Sequence, residues 1–564
     1  MPSATSNHDS SLWGRDLLVL ALTFGLMYFA GLGSYPLGNP DEGRYAEIPR
    51  EMVAKGDWVT PRLNGVNYFE KPPLVYWMVA TCNRLFGTSE LSMRLTPGLF
   101  ALGGILLTYA AARRIYGRNA GLAAAAVLGS SILYFVLGHI LLLDMGVSVL
   151  MSATLICFIL GVQEPPGAKR RWFFYGLYAS AALATLTKGL IGFLVTGAVM
   201  FLWLLICDQW KRLRPLHLPS GILLFLAIAA PWHVLAALHN ETWVHRYLFY
   251  EHLERFLTPA ASRPGKWHYF IWVIIAGLIP WTALLWPALR SALRGGWAAR
   301  RERAVEWFWV IWAGFIFLFF TKSHSKLAPY ILPIFPALAV LIGAWLAQTE
   351  KEAGGLEKLR RVFLPVALTT AVLALALGII LAKPTLVRMD PVQAAELRLP
   401  LLLMVGVLSV GSILILWLQR RHGVRAGMVG GILTMAAFFA GVIFVAPAIQ
   451  KSGTRELAAQ VVQLARPGDR VMHYHEFFHD FTFYARRTVE VVSYKGELEL
   501  EEDAAARASG RFIDEAEFRR IWTGPNRLWV VARKSDVREL FTDPAFRYHL
   551  LGQSPDHYLF SNQP

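Results

Sequence analysis

Residues 173–206 read FFYGLYASAALATLTKGLIGFLVTGAVMFLWLLI, an apolar run broken only at residues 187–189. A stretch of about 20 apolar residues crosses the hydrocarbon core of a bilayer, so this run is long enough for two crossings. Basic clusters flank it at residues 169–171 and 211–214. Short loops rich in Lys and Arg remain in the cytoplasm, so both clusters lie on one side and two crossings separate them. The chain therefore turns on the outer face, at Lys188.

The whole chain shares this apolar character. It has 564 residues, of which 55% are hydrophobic and 17% are charged, and its mean hydropathy is +0.41. This composition is too apolar for a soluble protein, so we expect the chain to be surrounded by membrane lipids. The net charge of +16 lies in short clusters between apolar runs. Membrane topology explains those clusters, and no nucleic-acid partner is predicted. The three separated cysteines predict no disulfide framework.

Apolar stretches of spanning length recur through residues 1–446, which we interpret as a transmembrane catalytic domain. The pattern predicts a polytopic α-helical membrane protein with about 13 transmembrane helices. The predicted spans are residues 17–32, 95–112, 120–138, 145–162, 173–186, 190–206, 222–237, 269–289, 305–320, 328–346, 362–381, 399–418 and 428–445. With this count the remaining basic clusters also lie in the cytoplasm, and the C-terminus lies outside.

Residues 447–564 have a different pattern, in which charged helical segments alternate with short β-type runs such as RLWVVA at residues 527–532. They predict a small α/β domain outside the membrane, large enough to bury its own core. Two long polar connections lie on the same side, at residues 33–94 and 239–268. Because binding and catalytic residues concentrate in such loops, we expect the site there, with interfacial helices in the first loop.

The first of these loops carries two adjacent carboxylates. Residues 39–52 read NPDEGRYAEIPREM, and residues 44–55 have the pattern of a helix at the membrane interface, with Asp41 near its start. Asp41 and Glu42 either cap this helix or take part in catalysis, and the residues alone leave both open. Asp144 poses the same choice, since it follows an uncharged run and precedes an apolar helix. An ionisable group at membrane depth is costly, which favours a function for Asp144.

The predicted outer face also carries many basic residues near helix ends. They are Arg44, Lys71, Lys188, Arg246, Arg255, Lys322 and Lys326. Basic residues are disfavoured in short outer loops, so we expect them to meet an anion, for which phosphate is the natural candidate. Taken singly, each has an alternative role, either reaching along the membrane interface or pairing with a loop carboxylate such as Glu70 or Glu254.

Several motifs in these segments resemble those of the GT-C class of membrane glycosyltransferases. They are DEGRYAEIPREM at residues 41–52, YFEKP at 68–72, TKG at 187–189, EHLERF at 251–256 and KLAPY at 326–330. Within this class they are similar to the bacterial lipid A aminoarabinose transferases, which are relatives of the protein O-mannosyltransferases. KGEL at residues 495–498 and GRFI at 510–513 extend the resemblance into the C-terminal domain.

The resemblance implies transfer of 4-amino-4-deoxy-L-arabinose from undecaprenyl phosphate to a phosphate of lipid A, at the periplasmic face of the bacterial inner membrane. Catalytic roles are then expected for Asp41 and Asp144. Substrate-binding roles are expected for Arg44, Tyr68, Glu70, Lys71, Lys188, Arg255, Lys326 and Tyr330. No cofactor is required, and a divalent cation near Glu70 and His252 is not predicted. An acceptor phosphate is already ionised near neutral pH, so the carboxylates are expected to orient groups and stabilise positive charge.

The sequence also offers alternatives to this function. His473, His475 and His479 with Glu476 resemble a metal cluster, but strand alternation places only the first two on one face, so hydrogen-bonded or solvated histidines are expected and no metal site. The alternative enzyme is another polyprenyl-phosphate-sugar transferase of the protein O-mannosyltransferase type, in which Asp41 is a general base for a hydroxyl. A lipid transporter or flippase is less consistent with charges near predicted helix ends, because transporters carry broken or polar helices near the midplane.

Overall fold

The computed structural model describes residues 5–245, 247, 265–352, 362–387, 389, 391–449, 453–494 and 504–564. The chain divides into two compact units. The first comprises Met1–Gly31, Pro97–His233 and Tyr250–Val445, and the second comprises Leu32–Thr96, Val234–Phe249 and Ala446–Pro564. The long polar connection at residues 33–94 therefore belongs to the same unit as the C-terminal segment.

Helices make up most of the described residues. In chain order they are α1 (Thr5–Phe29), α2 (Asp41–Lys55), α3 (Leu74–Phe86), α4 (Glu90–Tyr116), α5 (Arg118–Gly129), α6 (Ile132–Gly138), α7 (Leu143–Gln163), α8 (Ala168–Lys188), α9 (Ile191–Cys207), α10 (Leu218–His239), α11 (Tyr269–Gly277), α12 (Leu285–Ala292), α13 (Ala304–Lys322), α14 (Phe335–Glu352), α15 (Leu364–Ala382), α16 (Pro391–His422), α17 (Val424–Ile449), α18 (Arg455–Leu464), α19 (His479–Ala485), α20 (Ala504–Ala508), α21 (Glu515–Trp522) and α22 (Arg538–Thr542). Short 3-10 helices lie at Trp210–Leu213, Thr282–Leu284, Gly296–Arg300, Ala328–Ile334 and Pro384–Val387.

Eight strands accompany the helices. They are β1 (Arg62–Leu63), β2 (Val66–Asn67), β3 (Arg470–Tyr474), β4 (Glu490–Val492), β5 (Phe512–Ile513), β6 (Leu528–Arg533), β7 (His549–Gln553) and β8 (His557–Ser561). Among the described residues β1 and β2 form a two-stranded antiparallel sheet, and the other six form one sheet.

Nine helices within the described ranges are long and apolar enough to cross a membrane, and the number rises to eleven if each of two bent helix pairs counts as one span. The bent pairs are α5 with α6, at 65°, and α11 with Thr282–Ala292, at 110°. Each of the predicted spans coincides with one of these helices or pairs, or with α8 or α9. The chain is a multi-span membrane protein, which confirms the predicted fold class. The twelfth and thirteenth crossings, by α8 and α9, stay predictions.

The break in the long apolar run lies where it was predicted. α8 ends at Lys188, and Gly189 has φ of 82°, a left-handed conformation that glycine adopts without a steric penalty. The Gly189 N–H donates to the carbonyl of Thr185 at 2.8 Å, which closes the helix end. α9 begins two residues later, and a Cβ on Gly192 would lie 2.6 Å from the carbonyl carbon of Ala184. Gly192 therefore lets α8 and α9 approach closely, as small residues do in membranes.

The second unit contains the six-stranded sheet, with strand order β5-β4-β3-β6-β8-β7. β5, β4, β3 and β6 are parallel, and β8 and β7 add an antiparallel edge. Helices connect the parallel strands, as expected because parallel neighbours require a crossover. The predicted small α/β fold of the C-terminal segment is thus confirmed.

Alternation along β6 divides the core of this unit into two layers. Trp529 and Val531 pack with Ile48 and Met52 of α2. On the opposite face Val530 lies in a second cluster that includes residues of α21 and α22. Because successive strand residues point to opposite faces, one sheet supports both layers. The connection at residues 33–94 is therefore held on the C-terminal sheet through α2, which is fixed there by apolar burial.

Candidate active site

Three predicted site residues meet in the first unit. Asp144 lies in the first turn of α7, and Lys188 is the last residue of α8. Lys188 Nζ donates a hydrogen bond to Asp144 Oδ1 at 2.5 Å. The same ammonium lies 4.9 Å from the centroid of the Tyr330 ring, within the range of a cation–π contact. The Asp144 carboxylate and Lys188 ammonium stay partly exposed, so both are accessible to a ligand.

Lys326 has a different environment from Lys188, which lies in the same unit. Its side chain is buried, and Nζ donates to the carbonyls of Thr321 and Ser323, each at 2.8 Å. These carbonyls lie at the C-terminal end of α13, where the helix dipole favours a cation. The ammonium therefore fixes the segment that leads to Tyr330.

In the second unit, Asp41 begins α2 and has an open environment. Its Oδ1 lies 3.7 Å from Nη1 of Arg44, and its side chain is 43% exposed whereas that of Arg44 is 8% exposed. The N-cap residue, Pro40, makes no side-chain capping bond. Glu42 Oε2 accepts from the N–H of Gly38 at 2.8 Å, and because Gly38 precedes α2, this bond ties the preceding segment to the helix. The Glu42 carboxylate therefore has a structural task, whereas the Asp41 carboxylate stays exposed to a ligand.

Arg94 fixes the segment that precedes Asp41. Its Nε and Nη2 donate to the two carboxylate oxygens of Glu42 at 2.7 and 2.8 Å. The same guanidinium donates to the carbonyls of Leu32, Tyr35 and Pro36 at 2.8–2.9 Å. All five guanidinium N–H groups therefore have acceptors, which offsets the cost of burying a charged group at 0% exposure.

Tyr68, Glu70 and Lys71 lie in the same unit. Lys71 Nζ lies 3.9 Å from Oε2 of Glu70 and donates to the Glu70 carbonyl at 2.9 Å. The Tyr68 hydroxyl is buried and has no hydrogen-bond partner in the described part of the chain. Burial raises the pKa of this phenol well above its usual value, so the hydroxyl remains a donor. A buried donor without an acceptor is costly, which makes Tyr68 a candidate ligand-binding group.

Glu47 is a charged residue that the motif placed in α2 without a role. It is fully buried, and its Oε2 and Oε1 accept from Nε and Nη2 of Arg50 at 2.6 and 2.7 Å. Burial raises the pKa of the Glu47 carboxyl to about 7, although Arg50 opposes the shift. Glu47 is therefore a titrating group near neutral pH, one turn and a half from Asp41.

The histidine-rich segment is built differently from the predicted alternation. β3 ends at Tyr474, and His475 has φ of 62°, so it leaves the strand and the expectation that His473 and His475 share one face is wrong. His473 is buried, and its Nδ1 accepts from the N–H of Phe478 at 3.1 Å. Burial lowers its pKa well below the usual value, so it stays neutral. Within the described ranges no three His, Cys, Asp or Glu side chains come together as a metal site.

Arg255 and His252 lie outside the described residues, as do Arg246 and Glu254. Conversely, the structure identifies residues that the sequence did not, above all Arg94, Asn39 and Asp480. Arg94 is 52 positions from its partner Glu42, and Asn39 is 441 positions from its partner Asp480. By contrast, the i, i+3 spacing of Glu47 and Arg50 is a local signal for a pair.

Known proteins share both parts of this architecture. A profile of the family described as "Dolichyl-phosphate-mannose-protein mannosyltransferase" matches residues 70–234. The undecaprenyl phosphate-alpha-4-amino-4-deoxy-L-arabinose arabinosyl transferase of Edwardsiella ictaluri is 32% identical over 59% of this chain, and that of Pectobacterium carotovorum is 33% identical over 58%. The chain matches 60% and 58% of the lengths of these two relatives.

Two solved structures match almost the whole chain. ArnT from Cupriavidus metallidurans in the apo state is 27% identical, with a TM-score of 0.81 and 98% of both chains covered. The same protein bound to undecaprenyl phosphate is 28% identical, with a TM-score of 0.82, and the match covers 99% of this chain and 98% of that one.

The fold and these matches define the class: the chain has the GT-C fold of membrane glycosyltransferases. It is similar to ArnT along almost its entire length and to the named aminoarabinose transferases over 59% of its length. The resemblance that the motifs predicted is therefore confirmed.

Proposed function

We propose that this protein transfers 4-amino-4-deoxy-L-arabinose from undecaprenyl phosphate to a phosphate group of lipid A, at the periplasmic face of the inner membrane. The observation that carries the proposal is the match, over 99% of this chain, to ArnT bound to undecaprenyl phosphate. The named relatives point to the same donor sugar. The family resemblance supports a phosphate of lipid A as the acceptor.

In the proposed reaction an oxygen of the acceptor phosphate attacks the anomeric carbon of the sugar. The bond from that carbon to the donor phosphate oxygen breaks, and undecaprenyl phosphate leaves. Two phosphates within about 6 Å repel by roughly 3 kcal/mol per unit-charge pair at an effective dielectric of 20. Cationic side chains must offset this repulsion. We assign this role to Arg44, Lys71 and Arg255, with Lys188 assisting.

Asp41 and Asp144 have the opposite task. Positive charge develops at the anomeric carbon as the bond to the leaving phosphate lengthens, and a nearby carboxylate stabilises it. A carboxylate can also orient the ammonium group of the donor sugar. The 43% exposure of Asp41 leaves it accessible for either contact. Tyr68, Glu70 and Tyr330 are assigned to substrate binding, and Lys326 supports the segment that carries Tyr330.

The test is direct transfer by the purified protein. The protein is incubated with undecaprenyl-phosphate aminoarabinose and lipid A, and the lipid products are analysed by mass spectrometry. The proposal requires lipid A carrying one added aminoarabinose on a phosphate. Lipid A that remains unmodified, with the donor intact and the protein folded, would refute the proposal.

One observation favours a second candidate, since residues 70–234 match the protein mannosyltransferase profile. In that case a sugar passes from a polyprenyl phosphate to a hydroxyl group, and Asp41 acts as a general base. Parallel incubations with a polyprenyl-phosphate hexose and a Ser/Thr-rich peptide distinguish the two, because only this candidate yields a glycosylated peptide.

A further inference from the structure

Asn39, two residues before Asp41, is hydrogen-bonded to the C-terminal segment through a single residue. Its Nδ2 donates to Oδ1 of Asp480, and its Oδ1 accepts from the backbone N–H of Asp480 at 3.2 Å. The remaining carboxylate oxygen of Asp480 accepts from the N–H of Thr454 at 2.7 Å. Asp480 is fully buried at the start of α19, so each of these bonds replaces a bond to water.

The residue that follows Asp41 is also fixed by hydrogen bonds. Glu42 accepts two of them from the buried guanidinium of Arg94. Asp41 therefore stands between two residues fixed by buried hydrogen bonds, while its own carboxylate is 43% exposed. A Cβ on Gly43 would lie 2.6 Å from the backbone nitrogen of Asp480, so glycine is needed for this close approach.

We propose that Asp480 is a positioning residue for Asp41: through Asn39 it fixes the backbone from which the Asp41 carboxylate reaches the substrate. The inference rests on the proposed function and assigns a task to the C-terminal α/β segment. A reacting group displaced by about 1 Å loses about a hundredfold in rate, which is the physical reason for such a fixed support. Asp480 itself is buried, so it affects the reaction by supporting this segment and not by touching the substrate.

Exchanging the side chains of Asn39 and Asp480 keeps the total charge, and the pattern of donors and acceptors predicts which variants lose hydrogen bonds. In Asp480→Asn the amide faces two N–H donors, from Asn39 and Thr454, and its own NH₂ must oppose one of them. In Asn39→Asp two carboxylate oxygens face each other across the broken bond. In the double variant, Asn39→Asp with Asp480→Asn, the amide donates to the new carboxylate at position 39 and accepts from Thr454. Every bond is then restored.

The experiment measures two properties of wild type, both single variants and the double variant. Backbone amide hydrogen exchange of residues 38–44 reports the local support without any substrate. The values of kcat and KM for sugar transfer report its effect on the reaction. Asp469→Asn is the matched control, because this carboxylate precedes β3 in the same unit, accepts from Trp529 Nε1 at 2.9 Å and lies far from Asn39 in the hydrogen-bond pattern.

We expect both single variants to exchange faster at residues 38–44 and to lose at least about tenfold in kcat with KM for donor little changed. The double variant should recover both properties, and Asp469→Asn should change neither. Unchanged exchange or unchanged kcat in the folded single variants would overturn the proposal, as would a folded double variant that recovers neither. If wild type transfers no aminoarabinose, the proposed function fails, and the exchange data alone decide whether Asp480 fixes this segment.

Discussion

Lys188 Nζ and Asp144 Oδ1 are joined by a hydrogen bond of 2.5 Å although the residues are 44 positions apart in the chain. Lys188 is the last residue of α8 and Asp144 lies in the first turn of α7, so the pair depends on the packing of these two helices. Both side chains remain partly exposed. A buried structural ion pair would be sealed from ligand, whereas this one presents a carboxylate, an ammonium and the Tyr330 ring together.

The first prediction concerns this pair. Asp144→Asn and Lys188→Ala should each lower kcat by at least about tenfold, which corresponds to about 1.4 kcal/mol of lost transition-state stabilisation. Because the residues act through one contact, the double variant should be little worse than the more damaged single variant. Steady-state transfer assays measure this. Lys211→Ala, an exposed lysine in the 3-10 helix Trp210–Leu213, is the control and should retain activity. Fully additive losses would show that the pair is not a functional unit.

The second prediction separates a phosphate-binding lysine from a structural one. Lys71→Ala and Arg255→Ala should weaken binding of undecaprenyl phosphate about tenfold or more, since a charge-assisted hydrogen bond is worth about 1.5–3 kcal/mol. Lys326→Ala should instead lower the unfolding temperature and change affinity less, because its ammonium is already bonded to two helix carbonyls. Affinity is measured by titration with the lipid in detergent micelles. Equal losses of affinity in Lys71→Ala and Lys326→Ala would contradict these assignments.

The third prediction is topological. Cys82, Cys157 and Cys207 are free, so all three are first replaced to give a cysteine-free background. Single cysteines at Arg301 and Arg421 should then be labelled only from the cytoplasm. Cysteines at Asp57 and Ser535 should react with an impermeant reagent added outside the inner membrane. Cytoplasmic labelling at Ser535 would rule out an odd number of crossings, and with it the periplasmic C-terminal segment.

The fourth prediction follows from Glu47. Its carboxyl has a pKa of about 7 in the fold, above the ordinary value of 4.5, because it is buried. Between these values the folded protein binds a proton that the unfolded chain lacks, so this group makes the free energy of unfolding fall as pH rises. Stability contributed by the protonated form is complete below about pH 4.5 and is lost as pH passes 7.

Glu47→Gln removes that titration. The unfolding temperature of the variant, measured from pH 5 to pH 8, should therefore decline less than that of wild type over the same range. Other groups titrate equally in both proteins, so the difference isolates Glu47. Buried His479 shows why the comparison is needed: burial lowers its pKa to about 3, which makes stability rise with pH. Parallel curves for wild type and Glu47→Gln would refute the assignment.

Local patterns predicted the membrane fold well, because its determinants are local. The break at Lys188 to Leu190 follows from apolar length and flanking charge, and helix α2 follows from the residues after Pro40. The departure of His475 from the strand could not be read from alternation, since a residue with positive φ ends the period of two. Likewise nothing near Glu42 identifies Arg94 as its partner. Such pairs depend on tertiary packing, which periodicity does not report.

The last prediction distinguishes the two roles open to Asp41. If it is a general base for a hydroxyl acceptor, activity should fall steeply below its pKa, and Asp41→Asn should abolish turnover because the proton acceptor is gone. If the acceptor is a lipid phosphate, Asp41→Asn retains size and hydrogen bonding but loses charge. The loss should then appear as reduced transition-state stabilisation at every pH at which the phosphate is ionised.

We expect the second result: Asp41→Asn folds, binds undecaprenyl phosphate as wild type does, and loses at least about tenfold in kcat across the pH range. Glu42→Gln provides the contrast, because Glu42 is bonded to Arg94 and Gly38 and should affect unfolding temperature more than the pH profile. The measurements are kcat against pH for lipid A modification, lipid affinity, and thermal unfolding of each variant. Near-wild-type turnover in folded Asp41→Asn would show that this carboxylate serves only the start of α2, since a residue that stabilises the reacting sugar cannot lose its charge without cost.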